Sequence, residues 1–281
     1  MEETYGGPAW RDANRANWDE RTPLHVSSSF YDVEGFLAGA STINDFEVAE
    51  IGSVQGATLC HLQCHFGLDT LSWARRGASV TGLDFSAAAI EVAQALSEST
   101  GLPARFVEGD VYDAPSLLTG GFDIVYTGLG ALNWLPDIAT WASVVERLLN
   151  PGGRLYLVEF HPLLWVLDDE EMAFDARWSY FFDPDGVAID SEVDYADPSV
   201  PLTATRTYEW AHPMGEVVTA LAQVGLRIEH LSEHGEISYQ RFPFLEPVPG
   251  SPRRWRVPST MTQIPLEYSL LARKDRAGDH G

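Results

Sequence analysis

Cysteine and basic residues are both scarce in this sequence. Its 281 residues include two cysteines, and 18 lysines and arginines stand against 41 aspartates and glutamates, which gives a formal net charge of -23. Two closely spaced cysteines do not suggest a disulfide framework, and so acidic a chain repels the phosphates of nucleic acids and of anionic membranes. We therefore expect neither a nucleic-acid partner nor a membrane partner.

Long hydrophobic runs are absent as well. No stretch of about 18 uncharged apolar residues occurs, and the N-terminal residues are polar, without the apolar segment of a secretory signal. Hydrophobic residues nevertheless make up 45% of the chain, enough to bury a large core. These features predict a globular cytoplasmic protein with a single domain, 1–281, whose oligomeric state the sequence leaves open.

The most unusual short stretch is CHLQCH, residues 60–65, which concentrates two cysteines and two histidines. A haem-attachment motif has two residues between its cysteines, whereas Cys60 and Cys64 are separated by three. A structural zinc site commonly adds a second, distant pair of ligands to a CxxC pair, and the chain has no further cysteine. We therefore expect no metal and no haem here.

Around this stretch, short apolar segments alternate with segments of helical periodicity. Such alternation predicts parallel strands joined by right-handed helical crossovers, that is, a doubly wound, Rossmann-like α/β sheet. In such a sheet, ligands bind beyond the carboxyl ends of the strands, where the loop 63–67 is expected. The predicted strands of this part of the chain are residues 57–62, 78–86, 104–113, 122–132 and 152–162, and Ser86 is the predicted N-cap of the helix that follows the second strand.

With this loop and these strands, the chain resembles the class I S-adenosylmethionine-dependent methyltransferases over roughly residues 10–275. Within that class it is similar to a bacterial small-molecule group that carries an LHLQCHFG-type cofactor loop. His61 stands where the class usually has an acidic residue, Gln63 and His65 stand where it has the first two glycines, and Gly67 is retained. Bulky residues at these positions disfavour a pyrophosphate pressed against the turn, but S-adenosylmethionine has no phosphate.

The resemblance also implies the remaining architecture. It implies a mostly parallel seven-stranded sheet that ends in a C-terminal antiparallel hairpin. Residues 1–50 are expected to form an N-terminal helical lid, residues 51–161 and 211–275 the Rossmann-like core, and residues 162–210 a β-rich insertion at the acceptor site.

S-adenosyl-L-methionine is therefore the expected cofactor, and each part of it has candidate residues. Gln63, His65 and the helix amides near Gly67 are expected at its methionine end. Asp84, followed by Phe85, is placed for the ribose hydroxyls, as it also would be in a dinucleotide enzyme. The resemblance assigns adenine to Asp110 and Val111, although a carboxylate there also suits a helix N-terminus. Thr127 and Gly128 are expected beside the transferring methyl group. Trp18 either caps the cofactor or anchors the lid.

Methyl transfer needs a base only when the acceptor must lose a proton. His25, with Tyr31 and Asp32 close by in sequence, is one candidate, and His161, just after the fifth strand, is its rival. Tyr31 is included among the catalytic candidates. For both histidines a structural role stays open.

The insertion is rich in aromatic residues, which favours a largely apolar or aromatic small-molecule acceptor. We therefore predict a methyltransferase, plausibly of specialised metabolism, that acts on oxygen, nitrogen or an electron-rich aromatic carbon such as that of an indole. The alternatives are a nicotinamide-dependent oxidoreductase and a noncatalytic S-adenosylmethionine-binding protein. The aromatic residues of the insertion are Trp165, Trp178, Tyr180, Phe182, Tyr208 and Trp210.

Overall fold

The computed structural model describes residues 7–276, so the first six residues of the predicted lid and residues 277–281 lie outside the described part. In chain order the strands are β1 (Thr58–Leu62), β2 (Ser79–Asp84), β3 (Ala104–Glu108), β4 (Phe122–Thr127), β5 (Leu149–Phe160), β6 (Val187–Asp190), β7 (Arg206–Glu209), β8 (Leu226–His234), β9 (Glu236–Ile237), β10 (Glu246–Val248), β11 (Ser251–Arg256) and β12 (Glu267–Lys274). The helices are α1 (Gly7–Ser27), α2 (Val33–Leu37), α3 (Asp45–Ile51), α4 (Leu68–Arg75), α5 (Ala87–Thr100), α6 (Ala114–Leu117), α7 (Ile138–Leu148) and α8 (Met214–Gln223).

The central sheet has seven strands in the order β3-β2-β1-β4-β5-β12-β8. The first five of these strands pair in parallel, and β12 runs antiparallel to both β5 and β8. The predicted doubly wound sheet with a C-terminal antiparallel hairpin is confirmed. Because β1 and β4 are neighbours at the point where the strand order reverses, their carboxyl ends open the crevice in which such folds bind ligands.

Alternating side chains of the inner strands fill a core on each face of the sheet. On β4, Ile124 and Tyr126 pack with Trp73 on one face, whereas Val125 packs with Trp141 on the other. A strand that is buried on both faces has no polar side to show, which is why this segment of the sequence is almost continuously apolar.

Local sequence signals set the helix starts on this sheet. The Ser86 side chain accepts a hydrogen bond from the backbone N–H of Ala89 at 3.1 Å, so the predicted N-cap of α5 is present. Asp137 caps α7 in the same way through Thr140. Such caps satisfy backbone donors that the helix itself leaves unpaired.

Two excursions leave the sheet. The first, residues 162–210, forms the antiparallel pair β6–β7 and an isolated bridge between Leu167 and Ala176, and is otherwise largely irregular. Residues 183–186 (DPDG) form a turn of this excursion, since the Gly186 N–H donates to the Asp183 carbonyl at 3.0 Å. The second, between β8 and β12, contains the three-stranded sheet β10-β11-β9, which the sequence analysis did not predict.

Three polar residues on one face of α1 attach this helix to the first excursion. Asn14 donates to the carbonyl of Tyr208 at 2.9 Å and accepts from its N–H at 2.8 Å. Asn17 donates to the Ala204 carbonyl, and Glu20 accepts from the Thr203 and Ala204 amides. The N-terminal helix and the insertion are therefore held together as one cover beside the carboxyl edge of the sheet.

Candidate cofactor cleft and active site

A cleft of about 330 Å³ lies at the carboxyl ends of β1 to β4. Its walls combine aromatic and aliphatic side chains with two carboxylates and one amide, and the lining includes no basic residue. Five of the predicted cofactor residues, Gln63, Asp84, Phe85, Asp110 and Val111, line this cleft. The other lining residues are Trp10, Leu83, Gly109, Trp134 and Leu135.

The loop after β1 has the backbone of a glycine turn but carries side chains. Gln63 and His65 have φ angles of 56° and 51°, in the left-handed region that costs a non-glycine residue on the order of 1 to 2 kcal/mol. These are the two positions at which the class that the sequence resembles usually has glycines. Strain of this kind persists where neighbouring bonds enforce it, and it is often found at functional sites.

Gln63 extends its amide into the cleft. Its Nε2 donates to the Ala131 carbonyl at 2.8 Å. Its Oε1 is buried and has no hydrogen-bond partner within residues 7–276. Because an unsatisfied buried acceptor costs about 1 to 3 kcal/mol, this oxygen is suited to a ligand N–H or O–H.

Gly67 serves packing at the start of α4. Its φ angle is 82°, and a Cβ placed on it would lie 2.7 Å from Cζ of Phe106 and 3.0 Å from Cβ of Ala93. Glycine is therefore required here by the close approach of β3 and α5 as much as by the turn.

Asp84 ends β2 and ties the loop to that strand. Its Oδ2 accepts from the His65 N–H at 2.7 Å and its Oδ1 from the Ser86 N–H at 2.9 Å. Burial raises its pKa to about 6, against the opposing effect of these hydrogen bonds. Since an ionised carboxylate accepts up to about four hydrogen bonds, Asp84 keeps acceptor capacity for a ligand hydroxyl.

Asp110 has structural partners as well as a place in the cleft. Its Oδ1 accepts from the Tyr112 N–H at 2.8 Å, and its Oδ2 lies 2.7 Å from Nε of Arg11. It therefore caps the turn after β3, as the alternative interpretation of this residue required. Burial raises its pKa, while Tyr112 and Arg11 oppose that shift. The adenine role of Asp110 and Val111 remains a prediction.

The residues at the end of β4 lie beside the loop. Thr127 pairs with Leu62 of β1, and its buried Oγ1 lacks a partner in the described part of the chain. At Gly128, a Cβ would lie 3.3 Å from Nε2 of His61 and 3.5 Å from Oδ2 of Asp69. His61 itself is a packed strand residue, bonded through Nδ1 to Thr70 at 2.8 Å.

Next to the cleft, a carboxylate and two imidazoles are joined one after another by hydrogen bonds and form a hydrogen-bonded chain. Asp194 Oδ2 lies 3.0 Å from His25 Nε2, and His25 Nδ1 lies 3.2 Å from His65 Nε2. Asp194 and His25 are completely buried. Burial lowers the pKa of His25, although its hydrogen bond to Asp194 opposes that shift. Sequence proximity had suggested Asp32 beside His25, but Asp32 caps α2 instead.

Aromatic rings surround this hydrogen-bonded chain. Tyr31 stacks on His25 at a centroid distance of 4.9 Å, and its hydroxyl bonds to that of Tyr195. Trp18 makes edge contacts with His65 at 5.2 Å and with Trp134 of the cleft wall at 5.3 Å. Trp18 therefore stands between the cofactor cleft and the histidines.

His161 occupies a different place. Its Nδ1 accepts from the Leu163 N–H at 3.2 Å, which caps the turn Pro162–Val166, and its Nε2 lies 2.9 Å from Glu233. Burial lowers its pKa. The structure therefore does not bring His161 together with His25, and the geometry here is that of a capping residue.

A second, smaller cavity of about 230 Å³ lies beyond β4 and β5. Trp165 and Trp210 of the insertion line it together with Phe160. Tyr239 lies between this cavity and the histidines, 5.7 Å from Phe160 and 6.5 Å from Tyr195 in centroid distance. Of the other predicted insertion aromatics, Trp178 is 48% exposed, Phe182 stacks on His212 and Tyr208 is bonded through its backbone to Asn14.

Sequence reasoning missed Asp194 and Trp10. Asp194 is 169 residues from His25, and no local sequence pattern predicts a contact over such a separation. Trp10 could have been found, because Trp10, Asn14, Asn17, Arg21 and His25 recur at helical spacing and form the inner face of α1. All five are buried.

No cluster of three or more potential metal-ligating side chains occurs among the described residues. Cys60 and Cys64 are buried and unpaired by a disulfide, and burial raises the pKa of both thiols. They behave as small hydrophobic residues of the core. No helix in the described part of the chain is long and apolar enough to cross a membrane.

The sheet order, the antiparallel β12 and the cleft at the switch point define the class I methyltransferase fold. Residues 60–157 match a family model described as a methyltransferase domain. A methyltransferase structure from Mesorhizobium loti is similar over 84% of this chain and 99% of its own, with a TM-score of 0.56 and 20% identity. One from Listeria monocytogenes is similar over 82% and 96%, with a TM-score of 0.57 and 16% identity. At these identities the two structures establish the fold alone.

Curated relatives agree with this class. Ubiquinone biosynthesis O-methyltransferases from Photorhabdus laumondii and Sodalis glossinidius are 29% and 28% identical, over 47% and 50% of this chain. The aligned parts span 56% and 59% of those relatives, little more than half of their length. The chain thus combines a segment that matches a methyltransferase domain with the fold of solved S-adenosylmethionine-dependent methyltransferases.

The described residues fit S-adenosylmethionine, the cofactor of this class. The unpartnered Gln63 Oε1 and the remaining acceptor capacity of Asp84 suit ligand hydroxyl and amino groups. Within residues 7–276, the lining of the cleft includes no basic residue that could hold a pyrophosphate, and Arg11 next to it is paired with Asp110. This donor set counts against the nicotinamide cofactor of the alternative prediction.

Proposed function

We propose that this protein transfers a methyl group from S-adenosylmethionine to a small aromatic molecule, with a hydroxyl oxygen as the favoured acceptor. When bound, the cofactor supplies an electrophilic methyl group and leaves as S-adenosylhomocysteine. The observation that carries the proposal is a cluster of packed histidine and tyrosine rings between α1 and the insertion, which we call the chamber. It adjoins the cofactor cleft through Trp18 and His65. Its members are His25, His65, Tyr31 and Tyr195.

The walls of this chamber favour an aromatic acceptor. Rings of Tyr31, Tyr195 and Tyr239 lie within stacking or edge distance of their neighbours, and the cavity near Phe160 and Trp165 continues the aromatic lining. Aromatic side chains bind planar apolar ligands through area and edge or face contacts. A chamber that excludes water also aligns the acceptor with the methyl donor.

The relatives support oxygen as the acceptor atom. Their name describes O-methylation in ubiquinone biosynthesis. The matched family segment, residues 60–157, excludes His25, Tyr31 and Asp194, so the acceptor is inferred from this chain's own residues. A role in specialised metabolism, a cytoplasmic location and the absence of a nucleic-acid partner remain predictions.

Two measurements test the proposal. Calorimetry with S-adenosylhomocysteine should show micromolar binding, and Asp84→Asn, which removes acceptor capacity for hydroxyls, should weaken it about 10- to 100-fold. NADH serves as the control ligand. Incubation with S-adenosylmethionine and matched phenols, anilines and indoles should release S-adenosylhomocysteine fastest with a phenol, and the O-methylated phenols serve as blanks.

The outcomes separate the candidate functions. If S-adenosylhomocysteine is released fastest with indoles that lack a free hydroxyl, the acceptor atom is carbon or nitrogen and not oxygen. Tight binding of added S-adenosylhomocysteine, with none formed from S-adenosylmethionine with any acceptor, would favour the noncatalytic alternative. Binding of NADH in place of S-adenosylhomocysteine would contradict the proposal as a whole.

A further inference from the structure

We propose that Nδ1 of His65 is the base that removes the acceptor's proton, and that His25 and Asp194 are positioning residues that fix its tautomer. The inference rests on the proposed function. It differs from the sequence prediction, which placed His25 at the reacting atoms and His65 at the cofactor.

The direction of the hydrogen bonds carries the argument. An ionised Asp194 only accepts, so His25 must donate to it from Nε2–H. A neutral His25 then presents a lone pair at Nδ1, which must accept from Nε2–H of His65. That assignment leaves Nδ1 of His65 without a proton. The tautomers follow from the bonding network, with separations of 3.0 and 3.2 Å along the chain.

The surroundings keep Asp194 ionised. Its Oδ1 accepts from the backbone N–H of Ala196 at 2.7 Å and of Asp197 at 3.2 Å, and Arg21 lies 3.5 Å from its Oδ2. Burial on its own raises the pKa of Asp194, but the hydrogen bond from His25 and the nearby positive charge outweigh it, and the net shift is downward. The anionic end of the chain is therefore fixed.

The surroundings also keep both imidazoles neutral. Burial lowers the pKa of both rings, that of His65 well below its ordinary value, and the positive charge of nearby Arg21 adds to the effect at His65. Nδ1 of His65 is therefore available before an acceptor arrives. Once a proton is taken up, the carboxylate of Asp194 stabilises the resulting charge through His25.

His65 is also in the right place. Its backbone N–H bonds to Asp84 in the cofactor cleft, whereas its ring contacts Trp18 and Tyr31 of the chamber. His65 as a residue is partly buried, and among the hydrogen bonds within residues 7–276 the ring uses only Nε2. The left-handed backbone at 51° is the cost of placing a side chain at this position.

The other candidates have no free nitrogen or oxygen to offer. His25 is fully buried and uses both ring nitrogens within the chain. His161 uses both of its nitrogens as well. Tyr31 bonds to Tyr195, and burial raises its pKa well above the ordinary value, so it remains a neutral phenol.

The chemistry defines the class of acceptor. As the acceptor's O–H bond breaks, its proton passes to Nδ1 of His65, and its electron pair remains on oxygen to form the new bond to the methyl carbon. With the cofactor bound, the methyl–sulfur bond would break at the same time and its electron pair would stay on the sulfur of the leaving S-adenosylhomocysteine. The imidazolium then returns its proton to solvent after product release. Such a base serves an acidic O–H, as in a phenol, and is not needed for attack by a neutral aromatic carbon.

The first test needs neither cofactor nor acceptor. Long-range ¹H–¹⁵N correlation spectra of ¹⁵N-histidine-labelled protein at neutral pH distinguish protonated from unprotonated ring nitrogens, and the His25→Asn and His65→Gly variants assign the signals. We expect both rings to be protonated on Nε2 alone. A proton on Nδ1 of His65, or a doubly protonated His25, would overturn the proposal. Because no methyl transfer is measured, this result is independent of the proposed function.

The second test uses the phenol with the fastest turnover. His65→Gly restores the residue that the cofactor loop tolerates best, so affinity for S-adenosylhomocysteine should change less than about threefold while kcat falls at least 100-fold. Added imidazole should recover part of that loss. Asp194→Asn should lower kcat with unchanged cofactor affinity. The control Asp197→Asn should not lower kcat, because the Asp197 side chain bonds to Ser199 and not to His25, and the backbone N–H that Asp197 donates to Asp194 is kept. Full turnover in His65→Gly would refute the assignment.

Discussion

Asn14 offers a sharp test of how the N-terminal helix and the insertion build the chamber together. Its side chain, 1% exposed, both donates to and accepts from the backbone of Tyr208, at 2.9 and 2.8 Å. Asn14→Ala removes both hydrogen bonds and leaves the backbone N–H and carbonyl of Tyr208 without their partners. Each such group costs about 1 to 3 kcal/mol when water does not replace the partner, so with partial rehydration we expect a loss of about 2 to 4 kcal/mol.

Urea denaturation followed by tryptophan fluorescence measures this loss as a shift of the transition midpoint. The matched control is Arg15→Ala on the same helix, because Arg15 is 41% exposed and its ion pair is with the exposed Asp12. Substitutions at such exposed positions usually change the free energy of unfolding by no more than about 0.5 kcal/mol. Asn14→Ala should also reduce turnover, since α1 carries His25 and the insertion carries Asp194. A destabilisation no larger than that of the control would refute the reasoning that these bonds hold the cover together.

Other residues of the site give further tests. For Asp84, whose pKa is raised to about 6, protonation is favoured in the folded state, so its contribution to stability falls as pH rises from about 4 to 6. Ligand hydroxyls favour the ionised form, so affinity for S-adenosylhomocysteine should rise through pH 6 in calorimetry, and this dependence should vanish in Asp84→Asn. Gly67→Ala should cost about 2 to 4 kcal/mol in urea denaturation because of its φ of 82° and the 2.7 Å contact with Phe106; Phe106→Leu should recover part of it, and no recovery would locate the strain in the backbone alone. His161→Asn, which preserves a capping side chain, should leave kcat within about threefold; a loss of 100-fold would restore His161 as a catalytic candidate. Gln63→Gly should weaken binding of S-adenosylhomocysteine while changing the free energy of unfolding by less than about 1 kcal/mol, because relieved strain offsets the lost bond to Ala131; unchanged affinity would place the amide outside the ligand contacts.

The central sheet could be predicted because its signals are local. Strands buried on both faces are apolar runs of fixed length, and Ser86 and Gly67 mark the helix starts that separate them. Once the strand order is a doubly wound one, the carboxyl ends of β1, β2 and β3 must meet, and with them Gln63, Asp84 and Asp110. The cleft residues followed from that geometry, which is why all three line it.

The chamber could not be predicted in the same way. Asp194 reaches His25 across 169 positions, and the insertion that carries it has only two four-residue strands, so periodicity gives no register for it. The sheet β10-β11-β9 was missed because its strands are short and interrupted by prolines, which argue against strands in sequence reasoning. Long-range polar contacts, rather than patterns, fix both excursions.

The strain at Gln63 and His65 connects these two parts of the molecule. Glycine at both positions would remove a cost of about 2 to 4 kcal/mol in total. The chain nevertheless carries an amide and an imidazole there, the amide bonded to the Ala131 carbonyl and the imidazole to His25. The Gln63 side chain closes the cleft toward β4, and the His65 side chain reaches the chamber under α1. A loop that usually lets a ligand approach the backbone has thereby become one that offers side chains to it. Under the proposed function, this exchange would place an imidazole between the methyl donor and the aromatic chamber, where a proton must leave if the acceptor is a phenol.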